Sequence, residues 1–428
     1  MNLRDKHLVV IDHGHYQFIA DEMVKSYGKV SLYLPQEDAY LHPNKDTIGK
    51  GVPGISVVED DIDFWRDLVF GNKGDVFAFF DVGFGALQWT LQKLGKRVCG
   101  SLLSQKVEMD RWHLNEKVKS VGLPTVPMKK IIGTTNLKAF LKKNPQQVVK
   151  ISYYRGIIET FLADDPFEME LQIVELEHNL GMNKDDLEFI CQDIIESELE
   201  IGYDGFNVGG FYPPNSLYGP EIKDKAYIGM AVEKMPPLIE FVNKKMAPVI
   251  AKDGYQGFYH NELRVTDEPY SKLFRGRPYY TDATCRAGSP PSEAMCKIYE
   301  PHCLARAIWD MSEGRVPVLK PLKKWVAEVV LMSPKADKSW LHVNVDKKVK
   351  DWVCLKDYCM KNGEIFVIPN NNGGFFGNVV ALGDKPQEAI DEVLKRAALV
   401  KASELEVRMD VFDGAMKQLK LMKSYGLL

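Results

Sequence analysis

The first hundred residues alternate short apolar runs with helical patterns, and this alternation constrains the fold more than any other feature. Strands that alternate with helices are typical of a parallel, doubly wound sheet, whose ligands bind at the carboxyl ends of the strands. We therefore predict an N-terminal α/β domain in which the loop after Ile11 faces a ligand cleft. The predicted strands are residues 8–11, 30–34, 75–80 and 97–100, and the predicted helices are residues 16–27 and 86–94.

Composition excludes several classes of protein. Hydrophobic residues make up 45% of the 428 residues, which is enough for a large core and excludes a disordered chain. A net charge of −4 gives no strong field that would attract nucleic acid or an anionic membrane. No apolar run approaches the roughly 18 residues of a membrane span, and the first residues lack a signal-peptide pattern. We expect a cytoplasmic protein with small-molecule partners, whose oligomeric state the sequence does not fix.

Seven cysteines form no CxxC pair, so the sequence indicates neither a disulfide framework nor a zinc ribbon. We expect reduced, mostly buried thiols.

The remainder of the chain divides by pattern. The last hundred or so residues contain no reactive cluster, and we expect them to pack against and close a substrate cleft. Residues 203–220 are rich in Gly, Pro, Asn and Tyr and are predicted to form loops. Helices are predicted at residues 107–120, 136–143, 166–180, 184–189 and 236–251, and after Asp384; strands are predicted at 326–332, 340–345, 364–368 and 377–382.

A predicted hairpin contains the strongest chemical signal. Glu262 lies on its first strand, and period-2 alternation places Tyr280, Asp282, Thr284 and Arg286 on one face of its second strand. Two carboxylates on neighbouring strands repel each other unless a cation lies between them, and oxygen ligands suit Mg²⁺. An arginine on the same face can bind a phosphate or carboxylate bidentately. The alternative is a hairpin whose charges pair with lysines or arginines elsewhere.

Two features beside this hairpin extend the candidate site. The turn at Gly288 and Ser289, ahead of a predicted helix, offers backbone N–H groups to an anion. His260 shares the face of Glu262, where it could support a metal ligand or pack beneath the sheet. His13 and His15 flank a glycine after the first strand, and they could contact an amine substrate or order the loop.

Other candidates are weak when taken singly. Lys150 ends an apolar run and Arg111 lies on a predicted helix, and both are also typical surface charges. The segment 193–196 could present backbone groups to an adenine edge, or it could be an edge strand.

The order of these pieces resembles the ATP-grasp superfamily and, within it, the glycinamide ribonucleotide synthetase family. In that family a lysine stands where Arg111 precedes Pro124, and the nucleotide-binding lysine ends a strand as Lys150 does. The family's Glu-x-Asn-x-Arg is here Asp282-x-Thr284-x-Arg286. Residues 373–384, followed by a helix, resemble the family's C-terminal hairpin.

The resemblance implies α/β and α+β architecture in three domains. We expect a Rossmann-like (pre-ATP-grasp) domain over residues 1–108. An ATP-grasp domain would follow over 109–318, with a lid at about 125–200. A β-rich C-terminal domain similar to that of glycinamide ribonucleotide synthetase would cover 319–428.

The resemblance also implies an ATP-dependent carboxylate–amine ligase that forms an amide through an acyl phosphate, with ATP and Mg²⁺ (or Mn²⁺) as cofactors. Its small-molecule substrates would be a carboxylate, such as an amino acid, and an amine. The implied roles are phosphate binding by Lys150, Arg111 and Arg155; adenine binding by the backbone of Asp193, Ile194, Ile195 and Glu196; ribose binding by Glu200; metal binding by Glu262, Asp282 and Thr284; catalysis by Arg286 with Lys150; and substrate contacts by His13, His15, Gly288 and Ser289.

Three loops depart from the family pattern. The segment 151–156 has one glycine where the family has a glycine-rich lid loop, and residues 12–18 and 82–86 differ from the loops that hold phosphoribosylamine. The departures predict a different amine. They leave open a ligase that joins two amino acids and a nucleotide-binding module without ligase activity. A dinucleotide oxidoreductase is disfavoured because no GxGxxG follows the first strand.

Overall fold

Four β-sheets organise the residues that the computed structural model describes, which are 2–35, 45–151, 160–163, 165–197, 199–222, 225–369, 373–408 and 410–428. The first sheet is parallel and the other three are built from antiparallel pairs.

The N-terminal sheet has five parallel strands in the order β3-β2-β1-β4-β5. Its strands are β1 His7–Ile11, β2 Lys29–Tyr33, β3 Ile55–Val58, β4 Val76–Phe79 and β5 Arg97–Cys99. Every residue of β1 is buried, as expected when helices cover both faces of a parallel sheet. The strand order reverses between β1 and β4, so the loops after these strands flank the position where such sheets bind ligands. The predicted parallel sheet with alternating helices is confirmed.

The helices of this part include one that the sequence predicts as continuous. The expected helix over 107–120 is two helices in the structure, because Asp110 leaves the helical conformation and its side chain accepts a hydrogen bond from the amide of His113. The helices are α1 Gln17–Val24, α2 Asp61–Asp63, which continues as a π-helix over Phe64–Phe70, α3 Gly85–Lys93, α4 Lys106–Met109 and α5 Arg111–Ser120.

The second sheet, which we call the lid sheet, has the strand order β6-β9-β7-β8. Its elements are β6 Met128–Ile132, α6 Thr134–Leu141, β7 Gln147–Ile151, β8 Thr160–Ala163, α7 Pro166–Leu180 and β9 Glu188–Asp193. Asp165 caps α7 by accepting the amides of Phe167 and Glu168. The helix predicted at 184–189 is wrong: a 3₁₀ turn, Gly181–Asp185, leads into β9, whose residues pair with strands on both sides.

The core elements are β10 Leu199–Val208, β11 Ser216–Tyr218, β12 Glu221–Ile222, β13 Ala226–Val232, α8 Pro237–Ala251, β14 Gln256–Thr266, β15 Arg277–Thr284, α9 Ser292–Ile298 and α10 Cys303–Ser312. The loops predicted at 203–220 are partly wrong. Tyr203 and Phe206 of β10 are buried, and the Tyr203 hydroxyl donates to the carbonyl of Phe206. Aromatic packing therefore holds this glycine-containing stretch as a strand.

The C-terminal elements are β16 Trp325–Met332, α11 Pro334–Lys338, β17 Leu341–Val345, β18 Val353–Leu355, β19 Tyr358–Lys361, β20 Glu364–Val367, β21 Phe375–Gly383, α12 Pro386–Ala397, β22 Val400–Ala402 and α13 Val411–Ser424. All four predicted strands are present. β16 pairs with β13, so a nine-stranded sheet continues from the core across residue 319, in the order β15-β14-β10-β11-β13-β16-β21-β18 with β12 beside β13. The remaining strands form the order β19-β20-β17-β22. The proposed domain limits stay predictions.

All seven cysteines lie in described parts of the chain and are buried free thiols. Among the described residues, none of the helices has the length and apolar character needed to cross a membrane.

Candidate functional site

The β14–β15 hairpin brings the two predicted metal-binding carboxylates side by side. Glu262 lies directly opposite Asp282 in the strand register, and Thr284 lies opposite His260. The register shifts after Glu262, and Thr281 is the extra residue of the bulge. The bulge reverses the alternation, so Tyr280 points to the core, where its hydroxyl lies 2.6 Å from that of Tyr259. The prediction that Tyr280 shares the face of Asp282 is therefore wrong.

Both carboxylates face arginines in this structure. Nη1 of Arg111 donates to the two carboxylate oxygens of Asp282 at 3.1 and 2.9 Å. Nε of Arg264 lies 3.5 Å from Oε1 of Glu262, to which the hydroxyl of Thr281 also donates. The side chains of Glu262 and Asp282 are 39% and 30% exposed, so their oxygens remain accessible to a cation from the cleft.

Lys150 connects the lid sheet to this hairpin. It lies on β7, is buried, and its Nζ donates to the carbonyl oxygen of Thr281 at 3.3 Å. The lid lysine therefore reaches the core strand next to Asp282. The structure brings Lys150, Arg111, Glu262 and Asp282 into one cluster.

Glu200 lies one strand away on the same sheet. It pairs with Arg264 in the register of β10 and β14, and Nη2 of Arg264 lies 2.6 Å from Oε2 of Glu200. One guanidinium therefore bridges the predicted ribose-binding carboxylate and a predicted metal-binding carboxylate. Period-2 spacing from Glu262 could have identified Arg264, which the sequence analysis missed.

The segment predicted to contact adenine links β9 of the lid sheet to β10 of the nine-stranded sheet, which we call the core sheet. Asp193 ends β9, and its amide donates to the carbonyl of Pro127 while its side chain accepts from Gln147. Ile194, Ile195 and Glu196 follow in an irregular link to β10. Arg155, predicted to cover the phosphates, lies outside the described residues.

Arg286 lies beyond the end of β15, in a predominantly acidic setting. Its Nε donates to Glu108 at 2.8 Å and lies 3.9 Å from Asp81, while its Nη1 donates to the hydroxyl of Tyr16. Burial disfavours the guanidinium charge, but Tyr16, Glu108 and Asp81 together raise the pKa of Arg286 well above its ordinary value. The side chain is 27% exposed, so a fixed cation reaches the cleft.

The loop after β1 is ordered by its own polar side chains. The carboxylate of Asp12 accepts the amides of His13 and Tyr16 at 2.7 Å each. Nδ1 of His13 lies 3.1 Å from Asp81, and its ring stacks on Phe84. Burial, followed by the charge of Asp81, raises the pKa of Asp12 to about 6. Although ligand atoms of Asp12, His13 and Asp81 lie within 4.8 Å of one another, these hydrogen bonds account for their placement. The structure therefore places the His13 side chain between Asp81 and Phe84, and its predicted contact with a substrate stays a prediction.

His15 has a different setting from His13. Its side chain is 25% exposed, and Nδ1 lies 3.4 Å from Oδ2 of Asp357, which is fully buried. The next residue along the C-terminal turn, Lys356, is also buried, and its Nζ donates to the hydroxyl of Ser289 at 2.5 Å. The C-terminal region therefore places two buried charged residues against the loop after β1 and the turn at Ser289. The sequence analysis, which expects this region to pack and to close the cleft, did not identify them.

The turn predicted to bind an anion is engaged within the protein. The amide of Gly288 donates to Nε2 of His260 at 3.1 Å, and Nδ1 of His260 lies 3.1 Å from Asp204. Ser289 donates to Glu293. His260 is thus a buried link between sheet and turn, as one of its two sequence interpretations proposes.

Sequence reasoning missed Glu108, Tyr16, Lys356 and Asp357 because no local pattern marks them. Each contacts its partner only through the tertiary fold, as in the contact of Glu108 with Arg286.

Comparisons with known proteins rest on the fold. No protein-family model and no curated protein sequence matches the chain. Phosphoribosylamine–glycine ligase from Thermotoga maritima superposes with a TM-score of 0.66 and 15% identity, covering 94% of this chain and 99% of that one. A biotin carboxylase from Campylobacter jejuni, solved as a β-γ-ATP complex, superposes with a TM-score of 0.64 and 12% sequence identity. The match covers 99% of this chain and 98% of that one.

A third solved structure has a related fold and a different activity. L-amino acid ligase from Bacillus licheniformis gives a TM-score of 0.56 and 14% identity, with coverage of 95% of this chain and 99% of that one. At these identities the similarity establishes the fold and not the substrates. The chain therefore has the ATP-grasp fold over nearly its whole length and resembles phosphoribosylamine–glycine ligase.

Proposed function

We propose that the protein is an ATP-dependent ligase that joins a carboxylate, such as an amino acid, to an amine other than phosphoribosylamine. The proposal rests on one cluster of charged residues. Lys150 of the lid sheet donates to the carbonyl of Thr281, next to Asp282. Asp282 is bonded to Arg111 and lies opposite Glu262 in the strand register. ATP would lie between the lid sheet and the core sheet. The structural similarity to known ligases supports this reaction class.

The cations of the cluster suit the phosphates of ATP. Lys150 and Arg111 would neutralise the α- and β-phosphates, with Arg155 as a further candidate. Arg111 would then exchange its bonds to Asp282 for bonds to phosphate. Glu200 would accept hydrogen bonds from the ribose, and the link that contains Ile194 would bind adenine through its backbone.

The donor set fits a divalent cation such as Mg²⁺ or Mn²⁺. Glu262 and Asp282 offer partly exposed carboxylate oxygens from directly opposite strand positions, and Thr284 adds a hydroxyl on the next row. Bound there, the ion would neutralise charge on the β- and γ-phosphates. Positioning and charge neutralisation supply most of the catalysis in phosphoryl transfer.

Arg286 would orient the reacting carboxylate and the acyl phosphate that follows. The carboxylate oxygen attacks the γ-phosphorus, and ADP leaves with the electron pair of the broken bond. The amine nitrogen then attacks the carbonyl carbon, and phosphate leaves. Arg286 can stabilise the charge that develops because Glu108 and Tyr16 hold its guanidinium in place. Closure of the lid would keep water away from the acyl phosphate.

A second candidate is a ligase that uses an amino acid as the amine as well. The similarity to L-amino acid ligase favours it. Amino acids therefore belong in the test as both donors and acceptors.

The test measures ADP and phosphate release with Mg²⁺, ATP and a panel of amino acids, small dicarboxylates and amines, with products identified by mass spectrometry. We expect release that requires both substrates and yields an amide. The variant Glu262→Ala sets the background, and Glu268→Ala, an exposed glutamate of the same hairpin paired with Arg277, is the matched control. A wild-type protein that binds MgADP but turns over no faster than Glu262→Ala would instead be a nucleotide-binding module.

A further inference from the structure

The loop after β1 and a turn of the C-terminal region meet at one residue pair. Nδ1 of His15 lies 3.4 Å from Oδ2 of Asp357, and the side chain of Asp357 is fully buried. Gly14 permits this approach, because a Cβ atom built on it would lie 2.5 Å from Oδ1 of Asp357. Gly14 also has a φ of +108°, which disfavours other residues. The loop is therefore shaped to receive the carboxylate.

The same turn is held in place from both sides. The amide of Tyr358 donates to the side chain of Gln17, and the Tyr358 hydroxyl donates to Asp21 of α1. Asp357 itself has a φ of +46°, a conformation that Asp and Asn adopt more readily than most residues. Asp357 is thus a fixed acceptor behind His15.

His15 lies beside the reaction centre implied by Arg286. Its chain neighbour Tyr16 is hydrogen-bonded to Arg286, and Asp81 interacts with both His15 and Arg286. The imidazole is 25% exposed, whereas Asp357 is not exposed at all. Nδ1 is the ring nitrogen that lies near Asp357, at 3.4 Å and outside hydrogen-bond geometry, so Nε2 is the nitrogen that we assign to the substrate.

The charges around His15 increase the affinity of its imidazole for a proton. Burial opposes the charge and is the largest single influence, but Asp357, Asp81 and Asp12 together outweigh it, so that the pKa of His15 lies above its ordinary value. An imidazole backed by a buried carboxylate is the arrangement that proteins use to accept a proton from a nucleophile.

Amide formation in the proposed reaction needs such a group. An amine is largely an ammonium ion at neutral pH, and an ammonium nitrogen has no electron pair with which to attack. We propose that Nε2 of His15 accepts the proton of the amine substrate, and that Asp357 positions His15 for this step.

The step balances without another reactant. An N–H bond of the ammonium group breaks, its proton goes to Nε2 of His15, and its electron pair stays on nitrogen and forms the new C–N bond. The C–O bond to the phosphoryl group breaks, and phosphate leaves with the electron pair of that C–O bond. The nitrogen then loses a second proton to the departing phosphate, which gives the neutral amide, and His15 passes its own proton to water. This proposal rests on the proposed ligase function, because it assigns a role in the second half of that reaction.

Hydroxylamine separates this role from the rest of the reaction. It is mostly uncharged at neutral pH and traps an acyl phosphate as a hydroxamate without prior loss of a proton. With the best carboxylate from the panel, His15→Gln should form hydroxamate within about threefold of the wild-type rate and lose about 100-fold or more of amide formation. The control His342→Gln removes an exposed histidine paired with Glu364 and should change neither rate.

Asp357→Asn tests the positioning role through the pH profile. Loss of the carboxylate charge should lower the pKa of His15, so the acidic limb of kcat/KM for amide formation should move to lower pH. The profile of hydroxamate formation should not move. Asparagine preserves the shape and the left-handed backbone conformation.

The outcomes distinguish the two proposals. Wild-type amide formation in His15→Gln, or an equal loss of amide and hydroxamate, would overturn the role of His15 and leave the ligase intact. An amide limb that does not shift in Asp357→Asn would overturn the role of Asp357. Wild-type protein that forms neither hydroxamate nor amide with any carboxylate would contradict the ligase function itself.

Discussion

Replacing Lys150 with methionine is expected to lower kcat/KM for ATP by about 100- to 1,000-fold, because a buried cation positioned on the phosphates stabilises the transferring charge. Lys150 is buried on the lid strand β7, and its Nζ reaches the carbonyl of Thr281 beside Asp282. Methionine has similar length and suits the buried stem, so the fold should remain. Steady-state kinetics across ATP concentrations measure the effect.

The control for this substitution is Lys129→Met. Lys129 is an exposed residue of β6 in the same sheet, and its ammonium lies 5.0 Å from the ring centroid of Phe140. The substitution Lys129→Met should leave kcat/KM for ATP within about threefold of wild type, since isolated surface charges contribute little. Equal activity of Lys150→Met and Lys129→Met would show that Lys150 does not contact the phosphates.

Replacing Lys356 with methionine is expected to lower the free energy of unfolding by about 3–5 kcal/mol, because it leaves a buried carboxylate without its cation. Nζ of Lys356 lies 3.6 Å from Oε1 of Glu293, and both side chains are buried. Glu328 lies against Glu293, and burial, followed by the charge of Glu293, raises the pKa of Glu328 well above its ordinary value. Lys356 is thus the cation that pairs with Glu293, one of two neighbouring buried carboxyl groups.

Denaturant unfolding of Lys356→Met, compared with wild type, measures the loss of stability. Adding Glu293→Gln should recover part of the loss. Lys323→Met, which breaks an exposed pair with Asp384, should cost less than about 1 kcal/mol. Equal deficits for Lys356→Met and Lys323→Met would contradict the role assigned to Lys356.

Much of the architecture is visible in local sequence patterns. The strands of the N-terminal sheet are short apolar runs, and β1 is predicted within one residue because parallel strands covered on both faces are continuously hydrophobic. The helix over Pro166–Leu180 is predicted with its observed limits, since Asp165 and Pro166 mark its start.

Patterns fail where a distant contact decides the conformation. The alternation across β15 breaks at Thr281, because one extra residue in a bulge cannot be read from period-2 spacing. The stretch around Tyr203 resembles a loop in composition, yet the ring of Tyr203 is buried and packs against that of Tyr259 in the core. The helix predicted at 184–189 is absent because a 3₁₀ turn ends at Asp185 and β9, which pairs with strands on both sides, begins at Glu188.

The candidate site divides in the same way. Asp282 and Arg286 could be identified because they stand at alternating positions of one sequence segment, and Glu262 because it lies on the strand predicted before that segment. Asp357 and Lys356 could not, since their partners His15 and Ser289 are remote in sequence and meet them only when the C-terminal turn docks on the first loop.

Transfer of ¹⁸O from a labelled carboxylate substrate to inorganic phosphate tests the acyl-phosphate mechanism most directly. Attack of the carboxylate on the γ-phosphorus leaves one substrate oxygen on the phosphate that the amine later displaces. The predicted result, by ³¹P NMR or mass spectrometry, is one ¹⁸O atom in each phosphate released, with ADP as the other product. Phosphate without label, or AMP and pyrophosphate in place of ADP and phosphate, would contradict it.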